Sequence, residues 1–123
     1  MTPSGFPTRK ISETLIDFAQ PFLVHVDKTT SQETIQQGFH IAVTIWNVVV
    51  LDKVNGNSDL QNLMRKQLGE RWQSDPLINT LVNRRLKEFS DDMRLVSEHQ
   101  VVFDASGFRL KAAAIDPYAS KKP

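Results

Sequence analysis

The stretch that decides the fold is IQQGFHIAVTIWNVVVLDKV, residues Ile35 to Val54, in which most positions are apolar. A capping box, Thr30-Ser-Gln-Glu33, precedes it and predicts a helix start, because the threonine hydroxyl and the glutamate carboxylate each accept a hydrogen bond from a free backbone amide. Gly56 predicts the helix stop, since glycine readily adopts the left-handed backbone found after a helix. A helix of this length spans about 30 Å, so we expect it to cross the whole domain.

This long helix has no broad polar face, so we expect other elements to surround it. Alternatively, the β-branched run from Val48 to Leu51 forms a buried strand, but the cap and the total length favour a helix. Three polar residues, His40, Thr44 and Asn47, recur along it at helical spacing. This stripe is interpreted as a solvent-facing edge or as internal polar groups satisfied by neighbours. The competing hypothesis makes it the floor of a small-molecule pocket.

Three further helices are predicted from the sequence. The apolar spacing from Ser12 to Val24 predicts a helix capped by Ser12 and broken or kinked at Pro21. A second capping box, Ser58-Asp-Leu-Gln61, predicts the start of the next helix. Asp75 followed by Pro76 predicts the last one, because a proline at the first helical position has no amide to leave unpaired.

The C-terminal part of the domain is predicted to be a β-hairpin. Side chains alternate from Leu95 to Phe103, and Ala105-Ser-Gly107 separates this run from a second strand. The weaker half, Met93 to His99, has the alternative of a short helix capped by Ser90. The predicted fold class is therefore α+β and helix-dominated, with about four helices around a long central helix and a C-terminal hairpin. Residues 11–115 form the single domain, between a disordered arm (1–10) and a disordered tail (116–123).

Composition excludes several classes of protein. The chain has 123 residues, 40% hydrophobic and 24% charged, as is typical of one soluble globular domain. It has no cysteine, which excludes disulfide scaffolds, thiolate zinc sites, iron–sulfur clusters and thiol catalysis. A net charge of +1 gives no basic field for nucleic acid.

Three histidines, none closely paired along a helix, would have to assemble a metal site from distant segments, so we expect neither metal nor cofactor. The N-terminal residues lack the apolar core of a signal peptide, and the richest apolar stretch is shorter than a membrane span. We expect a cytoplasmic protein with no membrane contact.

One spacing matches a known catalytic signature. Arg94 and His99, separated by four residues, resemble the arginine–histidine motif of the HEPN family, small helical domains that are often ribonucleases. Such a histidine would move protons from a ribose hydroxyl while the arginine stabilises charge on phosphorus. Residues five apart point to opposite faces of a strand, however, and lie about 140° apart around a helix. The competing, structural interpretation is that His99 is an ordinary residue of the hairpin and that Arg94 faces solvent.

Two other features could carry function. Asp91 and Asp92 beside Arg94 could be paired carboxylates or a magnesium site, although adjacent aspartates after a helix more often cap the next element. Without a glycine-rich loop, a nucleophile elbow or a second acidic motif, we expect no catalytic residues. Trp72 lies in a polar setting, Glu70-Arg-Trp-Gln73, and an exposed tryptophan would mark an interface.

Residues Ile41 to Asp52 and Arg84 to Val96 resemble a family of small bacterial proteins of unknown function. These share a Trp-Asn core helix and a basic, Phe-x-Asp-Asp-x-Arg segment that leads to a C-terminal hairpin. The resemblance covers residues 12–115 and implies a bacterial cytosolic origin, with no activity to transfer. It directs the search for a site to Trp46, Asn47, Asp52, Phe89, Asp91, Asp92 and Arg94. A structural role explains the same residues if Arg94 pairs with Asp91 or Asp52 and ties the hairpin to the helices.

The sequence thus favours a non-enzymatic interaction or regulatory module that binds a protein partner or forms a homodimer. The expected binding residues are Trp72, Asn47, Asp91, Asp92 and Arg94. The alternative is a HEPN-like ribonuclease or toxin that uses Arg94 and His99. A third hypothesis is a small-molecule sensor with its pocket beside His40, Thr44 and Asn47.

Overall fold

The computed structural model describes residues 10–69 and 75–116. Within them the fold is α+β, as the sequence predicts, with five helices followed by an antiparallel hairpin. The predicted disordered arm and tail lie outside the described residues, apart from Lys10 and Asp116. The elements, in chain order, are α1 (Ile11–Phe18), α2 (Gln20–Leu23), α3 (Gln32–Asn55), α4 (Asp59–Leu68), α5 (Pro76–Lys87), β1 (Leu95–Asp104) and β2 (Gly107–Ile115).

The central helix α3 forms as predicted, but its N-cap lies one residue later than expected. The Oγ of Ser31 accepts a hydrogen bond from the Thr34 amide at 3.1 Å, so Ser31 is the cap. Thr30 belongs instead to the preceding turn, where its Oγ1 accepts from the Asp27 amide. At the other end Gly56 has φ 70°, the left-handed conformation that stops the helix.

Helix α3 is the core of the fold, and α1, α4, α5 and β1 all pack against it. By length and composition α3 also meets the criterion for a membrane-spanning helix, a criterion that the core helix of a compact domain meets as well. Its fully buried side chains include Phe39, Ile45, Trp46 and Val50.

The first predicted helix divides into α1 and α2 at Ala19, next to the predicted break at Pro21. Lys10, not Ser12, occupies the N-cap position of α1, and it provides no side-chain cap. Phe18 lies in the core, where its ring meets the Trp46 and Phe89 rings edge to face, each with centroids 5.5 Å away.

Helices α4 and α5 begin with different kinds of cap. Asp75 accepts a hydrogen bond from the Leu77 amide, and Pro76 occupies the first turn of α5, as predicted. Ser58 makes no side-chain cap at α4, so the predicted capping box is wrong. The carboxylate of Asp52, from the last turn of α3, accepts from the Leu60 and Gln61 amides instead, at 3.0 and 2.9 Å.

The hairpin forms as predicted, and Met93 and Arg94 precede it without helical structure. Its register runs from Asp104 opposite Gly107 to Leu95 opposite Ile115, with an irregularity between Val96 and Glu98. This bulge shifts the alternation of inward-facing and outward-facing side chains by one residue. As a result Val96 is buried on the side that also carries His99, Val101 and Phe103, facing the helices.

Candidate functional site

A fully buried arginine, Arg85 of α5, lies at the centre of the residues that the sequence singled out. Its guanidinium carbon lies 3.9 Å from the centroid of the Trp46 ring. The guanidinium donates to the backbone oxygens of Trp46, Phe89 and Asp92. Burial lowers the pKa of Arg85 to about 10, while the Asp92 charge opposes that shift, so the group is charged at neutral pH.

The side chain of Asp92 binds a second arginine. Its carboxylate accepts two hydrogen bonds from the Arg94 guanidinium, at 3.0 and 2.6 Å, and a third from the Arg94 amide. The Arg94 guanidinium also donates to the Oγ1 of Thr14 on α1, at 3.1 Å. Asp92 is 8% exposed and Thr14 is 5% exposed, so this contact joins the start of the hairpin to α1 inside the fold.

Two neighbouring residues of α3 fasten the base of β1. The indole Nε1 of Trp46 donates to the backbone oxygen of Arg94 at 2.8 Å. The Asn47 amide group donates to the Val96 oxygen at 2.9 Å and accepts from the Val96 amide at 2.8 Å. Asn47 therefore pairs with the edge of β1 as the backbone of a neighbouring strand would.

The structure thus brings Asn47, Asp92 and Arg94 together around Trp46, and we call Thr14, Trp46, Asn47, Arg85, Asp92 and Arg94 the Trp46 cluster. Arg94 pairs with Asp92, not with Asp91 or Asp52 as the sequence suggested. Asp91 is exposed, and its charge acts on Lys53 of α3. Trp72 lies outside the described residues.

The polar groups of the Trp46 cluster bind one another and the backbone. Among residues 10–69 and 75–116, every buried side-chain nitrogen and oxygen has a hydrogen-bond partner. The carboxylate of Asp92 and the guanidinium of Arg94 satisfy each other, and Arg85 binds backbone oxygens. This is the pattern of a polar network that fixes the relative positions of elements.

The arginine and the histidine of the HEPN-like motif bind different partners. Arg94 turns to Asp92 and Thr14 at the base of the hairpin. His99 faces His40 of α3, with the ring centroids 6.0 Å apart and the planes tilted by 30°. Since Trp46 and His40 are six residues apart on α3, the two contacts are separated by about 9 Å along that helix.

The polar stripe of α3 also divides among different partners. The Thr44 hydroxyl donates to the backbone oxygen of His40 at 2.8 Å, and Asn47 binds Val96. His40 is exposed, whereas His99 is partly buried. Burial and the nearby His40 both lower the pKa of His99, which favours its neutral imidazole. The three residues of the stripe therefore have separate partners.

Two open grooves lie on the hairpin. The first, which we call the hairpin groove, has a volume of about 580 Å³ and crosses the middle of both strands. The second, of about 410 Å³, lies between the hairpin tip and the segment that leads into α3. The residues that line the hairpin groove are Glu98, His99, Gln100, Lys111, Ala112 and Ala113.

Sequence reasoning missed Arg85, Thr14 and the meeting of His40 with His99. Arg84 and Arg85 are adjacent in the sequence, yet Arg84 binds backbone oxygens of α1 and pairs with Glu88 near the surface, whereas Arg85 is buried. One signal was present, because Arg85 follows Ile78, Leu81 and Val82 on the apolar stripe of α5 at helical spacing.

No family model, no curated protein and no solved structure matches the chain.

Proposed function

We propose that this protein is a non-enzymatic interaction module of the bacterial cytoplasm, which binds a protein partner or a second copy of itself through the hairpin groove. The observation that supports the proposal is that the buried polar residues and the open groove lie in two different regions of the fold. The polar residues of the Trp46 cluster bind one another and the backbone, while an open groove crosses the exposed hairpin.

The lining of the hairpin groove suits a polypeptide. Ala113 is short and exposed, so a partner's backbone can approach the outer face of the strand closely, whereas Ala112 packs toward the helices. Glu98 and Lys111 supply one charge of each sign, and Gln100 can both donate and accept hydrogen bonds. A mixed rim around a small apolar floor is the usual arrangement of a non-obligate protein interface.

The same lining argues against catalysis at this groove. Its single imidazole, His99, faces another imidazole and has neither a nucleophile nor a carboxylate partner among the contacts described for it. General acid–base catalysis needs such a group oriented against a reacting atom. The ribonuclease alternative would additionally need Arg94 to leave its pair with Asp92.

Affinity capture with matched variants tests the proposal. The tagged chain, Ala113→Arg and the control Asn83→Arg are each used to capture partners from the cytosol of the source organism, and sedimentation measures self-association. Ala113 and Asn83 are both exposed, so the two variants add the same charge on different elements. We expect a stoichiometric partner, or a dimer, that Ala113→Arg loses and Asn83→Arg keeps.

The proposal fails if the chain is monomeric and captures the same proteins in all three forms. Bound RNA in the captured material that disappears with Arg94→Ala would support the ribonuclease instead.

A further inference from the structure

We propose that His40 and His99 together bind a divalent cation of the zinc class, which would link α3 to β1 at the surface. The inference goes beyond the proposed interaction function and does not depend on it. Its basis is the meeting of two imidazoles from segments 59 residues apart in the chain.

The separation of the two rings is close to that of two imidazoles on one metal ion. A zinc–nitrogen bond is about 2.0–2.1 Å, and the nitrogen lies about 1.2 Å from the ring centroid, so two imidazoles on a tetrahedral metal have centroids about 5.3 Å apart. The His40 and His99 centroids are 6.0 Å apart. The difference is well under one ångström, and the His40 side chain is exposed, so it has room to turn toward a shared ion.

Both rings are available as ligands. In the part of the chain that the structure describes, neither imidazole makes a hydrogen bond, so binding would break none. Imidazole nitrogen is a ligand that zinc, copper and nickel all favour. The hairpin groove borders His99 and gives a hydrated ion access from solvent.

The site has two protein ligands, and water would complete the coordination. Among residues 10–69 and 75–116, no group of three or more histidine, cysteine, aspartate or glutamate side chains is placed to hold a metal ion. A site with open positions is the form in which a metal also accepts a ligand from outside the chain.

Zinc titration followed by NMR tests the inference. The full chain, carrying no polyhistidine tag and stripped with chelator, is titrated with ZnCl₂ while the histidine ring signals are recorded. We expect the His40 and His99 signals to move together and those of His25 to stay still. His25 is exposed and serves as the internal control.

Variants make the result decisive. We expect His40→Gln and His99→Gln each to lower the zinc affinity by about tenfold or more, because each removes one of two ligands. His25→Gln should leave the affinity unchanged. Since His40 is exposed, His40→Gln also keeps the inference testable if His99→Gln fails to fold. Wild-type affinity in His40→Gln, or zinc-induced shifts confined to His25, would overturn it.

Discussion

The Asn47 side chain pairs with both backbone groups of Val96, at 2.8 and 2.9 Å. Asparagine is one of the few side chains that carries a donor and an acceptor in the spacing of a peptide group. Its place in a long apolar helix therefore has a structural explanation, since it binds the edge of β1 from within α3. The sequence predicted Asn47 as a residue of interest, but its partner is 49 residues away and no local pattern indicates it.

Replacing Asn47 should destabilise the fold without exposing a new site. In Asn47→Ala the Val96 amide and oxygen lose their partners, and each unsatisfied buried group costs about 1–3 kcal/mol. We expect the free energy of unfolding, measured by urea denaturation, to fall by about 2 kcal/mol or more. Asn83→Ala, at an exposed position of α5, is the matched control and should change it little. Equal effects of the two substitutions would contradict this role.

Arg85 is a second residue whose replacement should destabilise the fold. Its guanidinium lies over the Trp46 ring and binds three backbone oxygens, which a lysine cannot reproduce. We expect Arg85→Lys to lower the free energy of unfolding by about 2 kcal/mol and Arg85→Met by about 3–5 kcal/mol, because the methionine leaves the oxygens without donors. Thermal or urea unfolding measures both. Full stability of Arg85→Lys would show that charge alone matters.

The existence of the helices followed from apolar periodicity, but three of the four predicted N-caps, at Ser12, Thr30 and Ser58, are not the caps in the structure. The predicted box at Ser58 has the right residues, yet the Asp52 carboxylate of α3 takes the amides of α4. The carboxylate from the preceding helix takes the place of the local hydroxyl, and only the folded chain brings it to these amides. In β1 the bulge between Val96 and Glu98 likewise brings Val96 to the buried face. A strict period of two would have assigned Val96 to the other face.

The two candidate caps of α4, Asp52 and Ser58, can be distinguished by substitution. Asp52→Ala removes the acceptor for the Leu60 and Gln61 amides and should destabilise α4 by about 0.5–2 kcal/mol, whereas Ser58→Ala should have little effect. Amide hydrogen exchange is the measurement, with faster exchange expected in the first turn of α4 for Asp52→Ala. If Ser58→Ala has the larger effect, the local capping box is the true cap.

The contact of α2 with α3 depends on a glycine. A Cβ added at Gly38 would overlap the Phe22 ring of α2, so that ring must shift to accommodate it. The higher helix propensity of alanine offers about 1 kcal/mol, but overpacking costs about 1–3 kcal/mol. We expect Gly38→Ala to lower the thermal unfolding midpoint. In the Phe22→Ala background, which removes the ring, the same substitution should raise it, and a decrease there would contradict the steric explanation.

In the whole molecule, hydrogen bonds join the base of the hairpin to the helices, and the middle of the hairpin carries an open groove. The Trp46 cluster joins α1, α3 and α5 to the residues that lead into β1. The hairpin groove and the His40–His99 pair lie further along the strands. The fold class followed from the sequence because helix and hairpin patterns are local. The groove did not, since it arises where the two strands come together in register.

We propose that the polar residues of the Trp46 cluster maintain the fold and that the exposed hairpin binds the partner. Residues kept for function are often neutral or unfavourable for stability, whereas structural residues are stabilising. The free energies of unfolding of Arg94→Ala and Ala113→Arg, measured by urea denaturation, distinguish these roles. We predict a loss of about 2 kcal/mol for Arg94→Ala and a change within about 0.5 kcal/mol for Ala113→Arg. An Arg94→Ala variant as stable as the wild type, or more stable, would contradict a structural role for Arg94 and would favour a functional one.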